Sequence, residues 1–497
     1  MEGARTGPSL AWRLAAAVAL TIGFYTLAIL IAAGLLAAAI LPWVLRGSNN
    51  LWVTLTCFIL GVTILVAIFP RRHKFEPYGV RLTDGNQPRM LTMIAEEAQT
   101  TGARAPDEVY ATLEVNASVT EVRGRRIMMV GVPLLHITSE RGMRGIIAHE
   151  FGHYAGGDTR LGPWVWRTYD GVARTIDYLT DDDGDDGWTQ RAVRQPFIWY
   201  GNAFMRITAA IKRRQEFAAD QLAARSAGRD AYTEALRRIH AYGLSFDAYW
   251  ENEVAAVLRA GRRPPVVDGF AEYLRSRPID EAATEFLDEQ MKEKTDRYDS
   301  HPSLSERLDA LQACEPGEPD DSAAALQLLR DPAELERELL AALVHPDAAE
   351  LPGLSWSDVG DEVYLARARA MRAEYGDVLG EAKVADLAGL AQDIGPIAGA
   401  LRRREPELPD EAAPNFAATL LAEALLAALA DDGWTVAAGL AEPVHACRGE
   451  EKIAPYDVVA ELHDSGPAAS AWRERAIELG IADLPLASAA AAKAEAA

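Results

Sequence analysis

The segment Ala148-His149-Glu150-Phe151-Gly152-His153-Tyr154-Ala155-Gly156-Gly157 is the stretch of this 497-residue sequence from which the fold around it can best be inferred. The pattern from Ser139 onward predicts a helix, which the serine hydroxyl can cap and the glycine pair ends. His149 and His153 are four residues apart, so both imidazoles project from one face of that helix. Two neutral imidazole nitrogens at this spacing can take two corners of a tetrahedral zinc site.

Glu150 adds a general base to the two candidate ligands. It adjoins His149 and is placed to accept a proton from a zinc-bound water as that water attacks a peptide carbonyl. Zinc lowers the pKa of its bound water to about 7, which makes the nucleophile available at neutral pH. The segment therefore predicts metal-assisted peptide hydrolysis.

A zinc site of this kind needs a third protein ligand. Thr159 stands where the pattern HExxHxxGxxH requires a histidine, which disfavours that class. Glu216 is the other candidate, and Asp220 lies four residues after it on the same helical face, where it can orient a ligand histidine. Taken alone, however, Glu216 is more readily interpreted as a surface carboxylate, because the chain holds 73 acidic residues.

Four motifs in a fixed order resemble those of one peptidase family. The segment His149–His153, followed by Arg-Arg-Gln-Glu-Phe-Ala-Ala-Asp at 213–220, is similar to the HExxH and ExxxAD motifs of the zinc metallopeptidase family of the HtpX heat-shock protease and the CAAX prenyl protease. Asn116-Ala117 resembles the Asn-Ala motif of that family, and His301 to Arg307 resembles its HPxxxxR motif. A second His-Pro pair, at His345, lacks the arginine. The resemblance covers about Arg71 to Leu311.

The resemblance implies a zincin-like α+β peptidase domain with one Zn²⁺ per chain, bound by His149, His153 and Glu216 (a gluzincin). It implies that the strand at Asn116-Ala117 pairs with the backbone of an extended substrate. It also implies that His301 helps Glu150 in catalysis by stabilising the oxyanion, and that Arg307 braces the site ionically. The sequence departs from the family pattern between the active helix and Glu216, where relatives have further membrane spans and this chain is too charged.

Two apolar runs at the N-terminus predict a transmembrane hairpin. Leu14 to Leu45 is 32 residues without a charge, and Leu51 to Phe69 adds 19 more. A bilayer core needs about 20 helical residues, so each run can span it once. A cleaved signal peptide is the alternative, but its apolar core is about 7–15 residues long.

Basic residues flank the two runs on their outer sides. Arg5 and Arg13 precede the first run and Arg71, Arg72 and Lys74 follow the second, whereas the connecting loop holds only Arg46. This bias predicts a multi-pass protein of the cell membrane with its catalytic domain in the cytoplasm. Three scattered cysteines fit a reducing compartment.

Shorter patterns organise the soluble part. Arg89 to Thr100 predicts a helix, and Glu108 to Val122 and Ile127 to Val132 predict a hairpin with Gly124 in its turn. Between Asp158 and Lys212, two Trp-rich stretches flank an acidic loop. Charged residues keep both from spanning a bilayer, and whether they are ordinary helices or lie on the membrane surface is left open.

The whole sequence is expected to be mainly α-helical, in three parts. These are a transmembrane anchor at 1–74, the peptidase domain at 75–314, and an acidic, all-α C-terminal domain at 315–497 with a frayed Ala-rich tail. The last part holds 35 acidic and 14 basic residues, a balance of -21, against 38 and 36 in the first 314 residues. This charge argues against nucleic-acid binding there.

The predicted function is that of a membrane-anchored zinc endopeptidase in protein quality control. Its predicted partners are the lipid bilayer and polypeptide substrates, either membrane or misfolded proteins. The alternative is a catalytically silent membrane scaffold that binds extended segments. Retention of Glu150 favours the enzyme, because a scaffold has no use for the base.

Overall fold

The computed structural model describes residues 10–47, 50–69, 75–155, 171, 174–175, 188–464 and 466–487. The described chain is mainly helical, as predicted. Its α-helices are α1 Leu10–Arg46, α2 Leu51–Ile68, α3 Pro88–Thr101, α4 Val132–Ile137, α5 Glu140–Ala155, α6 Trp188–Ala227, α7 Arg229–Tyr242, α8 Ser245–Tyr249, α9 Ala255–Arg259, α10 Val266–Arg275, α11 Arg277–Gln290, α12 Leu304–Leu311, α13 Pro332–Leu343, α14 Ala366–Leu379, α15 Leu387–Gln392, α16 Gly395–Arg404, α17 Ala413–Asp431, α18 Pro455–Asp464 and α19 Gly466–Glu478.

The described residues form two compact units. The first comprises those up to Gly243 together with Thr284–Arg330, and the second comprises Leu244–Ala283 and Asp331 onward. The second unit thus includes a stretch that the sequence assigned to the peptidase domain. The functional division at Lys74 and Glu315 stays a prediction.

Helices α1 and α2 pack on each other through small and apolar side chains, as expected of a helical hairpin. Both are long and apolar enough to cross a membrane. The residues they bury together are Phe24, Ala28, Ala32, Leu60, Ile64 and Ile68. Their other faces expose large apolar side chains, and Trp52 is 79% exposed. Such a surface suits contact with lipid.

Helix α1 is much longer than α2, and its extra turns pack on α6. The Phe24 ring meets the Phe197 ring edge-on at a centroid distance of 6.4 Å. The Tyr200 hydroxyl, also on α6, donates a hydrogen bond to the Leu20 carbonyl. Part of the charge-free stretch is therefore covered by protein.

A four-stranded sheet is formed by one strand that precedes α3 in the chain and three that lie between α3 and α4. Its strands are β1 Val80–Leu82, β2 Glu108–Thr112, β3 Ala117–Val122 and β4 Arg125–Gly131, in the spatial order β1-β2-β4-β3. The β2–β4 pair is parallel and the other two pairs are antiparallel. The predicted hairpin is confirmed as β3 and β4, but the stretch from Glu108 to Val122 forms two strands, of which only β3 belongs to the hairpin. Its two turn residues, Arg123 and Gly124, both have positive φ angles, as a tight two-residue hairpin turn requires.

The core of the second unit is built around α17. This helix is apolar enough to span a membrane by composition, yet about two thirds of the residues in its apolar stretch are buried by protein. Its fully buried Glu423 accepts hydrogen bonds from Arg367 and from the Tyr456 hydroxyl, each at 2.6 Å. A helix that is apolar on all sides and paired in this way is a core helix.

The prediction that the C-terminal domain is all-α is wrong in one respect. A second sheet is formed by β5 Thr435–Ala437, β6 His445–Arg448 and β7 Glu451–Ile453, in that order and antiparallel. Strands of three or four residues are too short to show a two-residue alternation, which is why the sequence pattern missed them.

Other predictions concern parts that the structure describes unevenly. The predicted helix at Arg89–Thr100 is confirmed as α3. Gly156, Gly157, Thr159, the acidic loop and the Ala-rich tail from 488 lie outside the described residues. From Trp188 onward, the segment left open by the sequence is part of α6.

Candidate functional site

Helix α5 carries the two histidines on the face predicted for them. The Ser139 hydroxyl accepts a hydrogen bond from the Gly142 N–H at 2.9 Å, which confirms the predicted cap. The Nε2 atoms of His149 and His153 are 3.2 Å apart. Both imidazoles therefore point at one location.

Helix α6 brings Glu216 to the same location. One carboxylate oxygen lies 3.5 Å from Nε2 of His149, and the other lies 3.7 Å from Nε2 of His153. Ligands held about 2.0–2.1 Å from a tetrahedral ion are separated by roughly 3.3 Å, so these spacings suit a divalent metal. Glu216 is only 7% exposed, which removes the interpretation of a surface carboxylate.

A close approach of the two helices makes this meeting possible. A Cβ atom at Gly152 would lie 2.9 Å from the Cα of Ala219 and 3.0 Å from its Cβ. Gly152 lies between the two histidines, and Ala219 lies between Glu216 and Asp220. Small residues at the crossing thus let the ligands of α5 and α6 face each other.

Asp220 lies behind the three candidate ligands and is 1% exposed. Its Oδ1 is 3.0 Å from Nδ1 of His149. The Arg307 guanidinium of α12 donates to both carboxylate oxygens, at 2.9 Å from Nε and 2.6 Å from Nη2. Burial alone would raise the pKa of Asp220, but the hydrogen bonds from Arg307 and His149 hold it well below its usual range. A bidentate pair of this kind offsets much of the cost of burying both charges.

The two histidines differ in their protonation. Burial lowers the pKa of His149, but hydrogen bonds to Asp220 and Glu216 outweigh burial and raise that pKa to about 9. Burial and the nearby positive charge of His149 lower the pKa of His153 to about 4. A metal requires neutral imidazoles, so metal and proton compete at His149 near neutral pH.

Glu150 has the protonation behaviour of a general base. Burial raises the pKa of its carboxyl to about 7, although the positive charge of His149 works in the opposite direction. A base is most effective when its pKa lies near the working pH. The environment of Glu150 therefore suits proton transfer at neutral pH.

Tyr232 of α7 completes this arrangement, and sequence reasoning missed it. Its fully buried hydroxyl donates to Oδ1 of Asp220 at 2.7 Å and lies 2.9 Å from Nδ1 of His149. The hydroxyl oxygen also accepts from Arg307 at 3.3 Å. Gly228, with a φ of 88°, joins α6 to α7. The contact of Tyr232 with Asp220 depends on this turn, so the spacing of a sequence motif cannot predict it.

The candidate ligands line an open cleft of about 250 Å³. Asn116, Ala117, Glu150, His301 and Arg307 all line it, so the structure brings the sequence-predicted residues together around the metal position. His301 is exposed, and its Nε2 is 3.6 Å from a Glu216 oxygen. The rest of the wall is mostly apolar: Val115, Leu134, Ile146, Leu236 and Ile239, with His240 beside them.

The second His-Pro pair differs as its missing arginine suggested. His345 belongs to the second unit, where its side chain accepts a hydrogen bond from the Asp347 N–H at the start of a short 3₁₀ turn. The local structure is that of a helix cap.

Comparison with known proteins matches this site to one family. The model of peptidase family M48 matches residues 85–315, which contain all four motifs. Residues 85–315, a little under half of the chain, are thus similar to an M48 peptidase domain. The resemblance to the HtpX family is thereby confirmed. M48 peptidases depend on a metal and act on polypeptides, and the His149–His153–Glu216 cluster offers the metal a site here.

Relatives of the M48 domain extend the match. A protease HtpX homolog from Desulfotalea psychrophila is 26% identical over 288 residues, which is 54% of this chain and 90% of that protein. The protease HtpX of Tolumonas auensis is 25% identical, over 39% of this chain and 74% of its own. That of Acinetobacter baylyi is 23% identical, over 52% and 84%. Together with the two apolar helices, these relatives support a membrane peptidase.

Replacing Tyr232 with Phe removes one hydroxyl and keeps the ring. We expect the affinity for Zn²⁺ to fall by about 10-fold, because groups that orient metal-binding histidines contribute to affinity on this scale. Competition with a chromophoric chelator measures the change. Tyr249→Phe is the matched control, since it removes a buried hydroxyl that donates to Val266 in the second unit. Equal zinc affinities for wild type and Tyr232→Phe would contradict the orienting role.

Proposed function

We propose that this chain is a membrane-anchored zinc endopeptidase of the gluzincin type. The observation that carries the proposal is the position of Glu150, a carboxyl with a pKa near 7 beside three converging metal-ligand atoms. A metal site that served structure alone would leave such a base without a use. One Zn²⁺ per chain is proposed.

The proposed mechanism assigns a task to each side chain. His149, His153 and Glu216 would hold zinc, which supplies Lewis acidity to the scissile carbonyl and to water. Glu150 takes a proton from the attacking water and delivers it to the amine of the leaving peptide. His301, exposed at the cleft, donates to the developing oxyanion.

Two further pairs support this chemistry from either side. Asp220 and Arg307 hold His149 in the orientation that directs Nε2 at the metal. Asn116 and Ala117 line the cleft at the start of an edge strand and bind the substrate in extended form, with the backbone pairing made by Ala117. Backbone pairing requires an unfolded segment and depends little on the side chains of that segment. This supports misfolded or membrane proteins as substrates.

The proposed location is the cell membrane, crossed by α1 and α2, with the peptidase domain in the cytoplasm. The support is the apolar surface of the hairpin and the arginines and lysines that flank it in the sequence. Trypsin added outside sealed right-side-out vesicles should leave the peptidase domain intact, and trypsin added to inverted vesicles should digest it. Digestion in the first preparation and protection in the second would reverse the orientation.

Glu150→Gln tests the enzyme against the alternative of a silent scaffold. We expect the purified variant to keep one equivalent of zinc and to lose at least about 100-fold in the cleavage rate of an unfolded protein, because general-base catalysis is worth roughly this much or more. Glu289→Gln, the same change on an exposed side chain, should leave the rate unaltered. Wild-type protein that binds zinc and unfolded chains but cuts none would favour the scaffold. Equal cleavage by wild type and Glu150→Gln would remove Glu150 as the base.

A further inference from the structure

Strand β3 is the edge of its sheet beside the cleft, and its backbone groups alternate in direction. The Asn116 carbonyl accepts a hydrogen bond from the Gly131 N–H at 2.8 Å, which places Asn116 in the inward-facing set. In an antiparallel pair, every second residue bonds the neighbouring strand and the residues between them face away. Ala117, Val119 and Glu121 therefore direct their N–H and C=O groups outward, where a substrate strand would pair.

Val119 has both of its outward groups engaged by α5. Its N–H donates to the Glu150 carboxylate. Its carbonyl accepts a hydrogen bond from the Tyr154 hydroxyl at 2.6 Å. The metal site does not require the second contact. Tyr154 follows His153 directly but is not among the candidate ligands.

Tyr154 is held in this position by its surroundings. The guanidinium of Arg126 lies over its ring, 4.9 Å from the centroid. The ring is therefore fixed at the strand edge, with its hydroxyl directed at the Val119 carbonyl.

Ala117 is in the opposite situation. Across the described parts of the chain, no hydrogen bond engages its outward N–H and C=O, and it lines the cleft beside the metal ligands. An antiparallel peptide that pairs with Ala117 would place the residue two positions nearer its own N-terminus opposite Val119. The peptide residue opposite Val119 cannot form the usual pair of backbone hydrogen bonds, because the Val119 carbonyl and N–H are already engaged.

We propose that Tyr154 is a specificity-determining residue that confines the pairing of substrate backbone to Ala117. The inference rests on the proposed peptidase function. It adds which part of the substrate, relative to the residue paired with Ala117, contributes to recognition. Peptide residues on the N-terminal side of the one paired with Ala117 would contribute little to recognition. The substrates so favoured are extended segments held over a short stretch of backbone.

Two fluorogenic peptides that differ only by a two-residue N-terminal extension test this. For wild type we expect the longer peptide to have a kcat/KM within about 2-fold of the shorter one. For Tyr154→Phe, which frees the Val119 carbonyl and leaves its N–H engaged by Glu150, we expect the ratio of longer to shorter to rise to about 3–10, the effect of one hydrogen bond. Tyr110→Phe, in the interior strand β2 of the same sheet, should keep the wild-type ratio.

Two outcomes would overturn the proposal. One is a several-fold higher kcat/KM for the longer peptide already in wild type, a result that does not depend on the variant folding. The other is a folded, zinc-loaded Tyr154→Phe variant that cleaves both peptides with nearly equal kcat/KM. Calorimetric binding of the same peptides with the scissile bond reduced to a methylene amine gives the ratio without turnover. Binding ratios as expected with no cleavage would sink the peptidase function and leave the pairing inference standing.

Discussion

The buried carboxylate of Asp220 is the group on which the rest of the site depends. An unpaired carboxylate in the protein interior is costly, and here the Arg307 guanidinium, the Tyr232 hydroxyl and the His149 ring all satisfy it. These partners come from α12, α7 and α5, while Asp220 itself is on α6. This one carboxylate therefore connects four helices. Glu216 faces the two histidines because it precedes Asp220 by about one helical turn.

The same arrangement separates the roles of adjacent side chains. Hydrogen bonds to Asp220 and Glu216 outweigh burial and raise the pKa of His149. Burial and the positive charge of His149 lower the pKa of His153, even though a Glu216 oxygen lies 3.7 Å from it. Desolvation raises the pKa of Glu150 towards neutrality, although the positive charge of His149 opposes the rise. The proposed ligand His149 and the proposed base Glu150 lie side by side on one helix, and their different surroundings shift their pKa values differently.

Much of the site could be predicted from the sequence because its motifs are local. The spacing of His149 and His153 follows from helical geometry, and that of Glu216 and Asp220 likewise. Tyr232 could not be found in this way, since its contact depends on how α7 folds back after Gly228. The contact between Tyr154 and Val119 depends in turn on the distance between a helix and a sheet edge, which no spacing encodes.

The fold was predictable to a similar degree. Long apolar or periodic stretches gave α1, α2, α3 and the β3–β4 hairpin, because each repeats its pattern several times. The strands near residue 440 are too short to do so, and α17 shows why composition alone misleads. It has the apolarity of a membrane span, but the buried pairing of Glu423 with Arg367 is that of a core helix of the second unit.

We propose that two imidazoles and one carboxylate of this chain bind a single zinc ion, and X-ray absorption at the zinc edge of the purified protein tests this binding. We expect nitrogen and oxygen neighbours alone at about 2.0–2.1 Å, with the scattering pattern of two imidazoles. A sulfur neighbour at about 2.3 Å, from one of the three cysteines, or a shell without imidazole would contradict it.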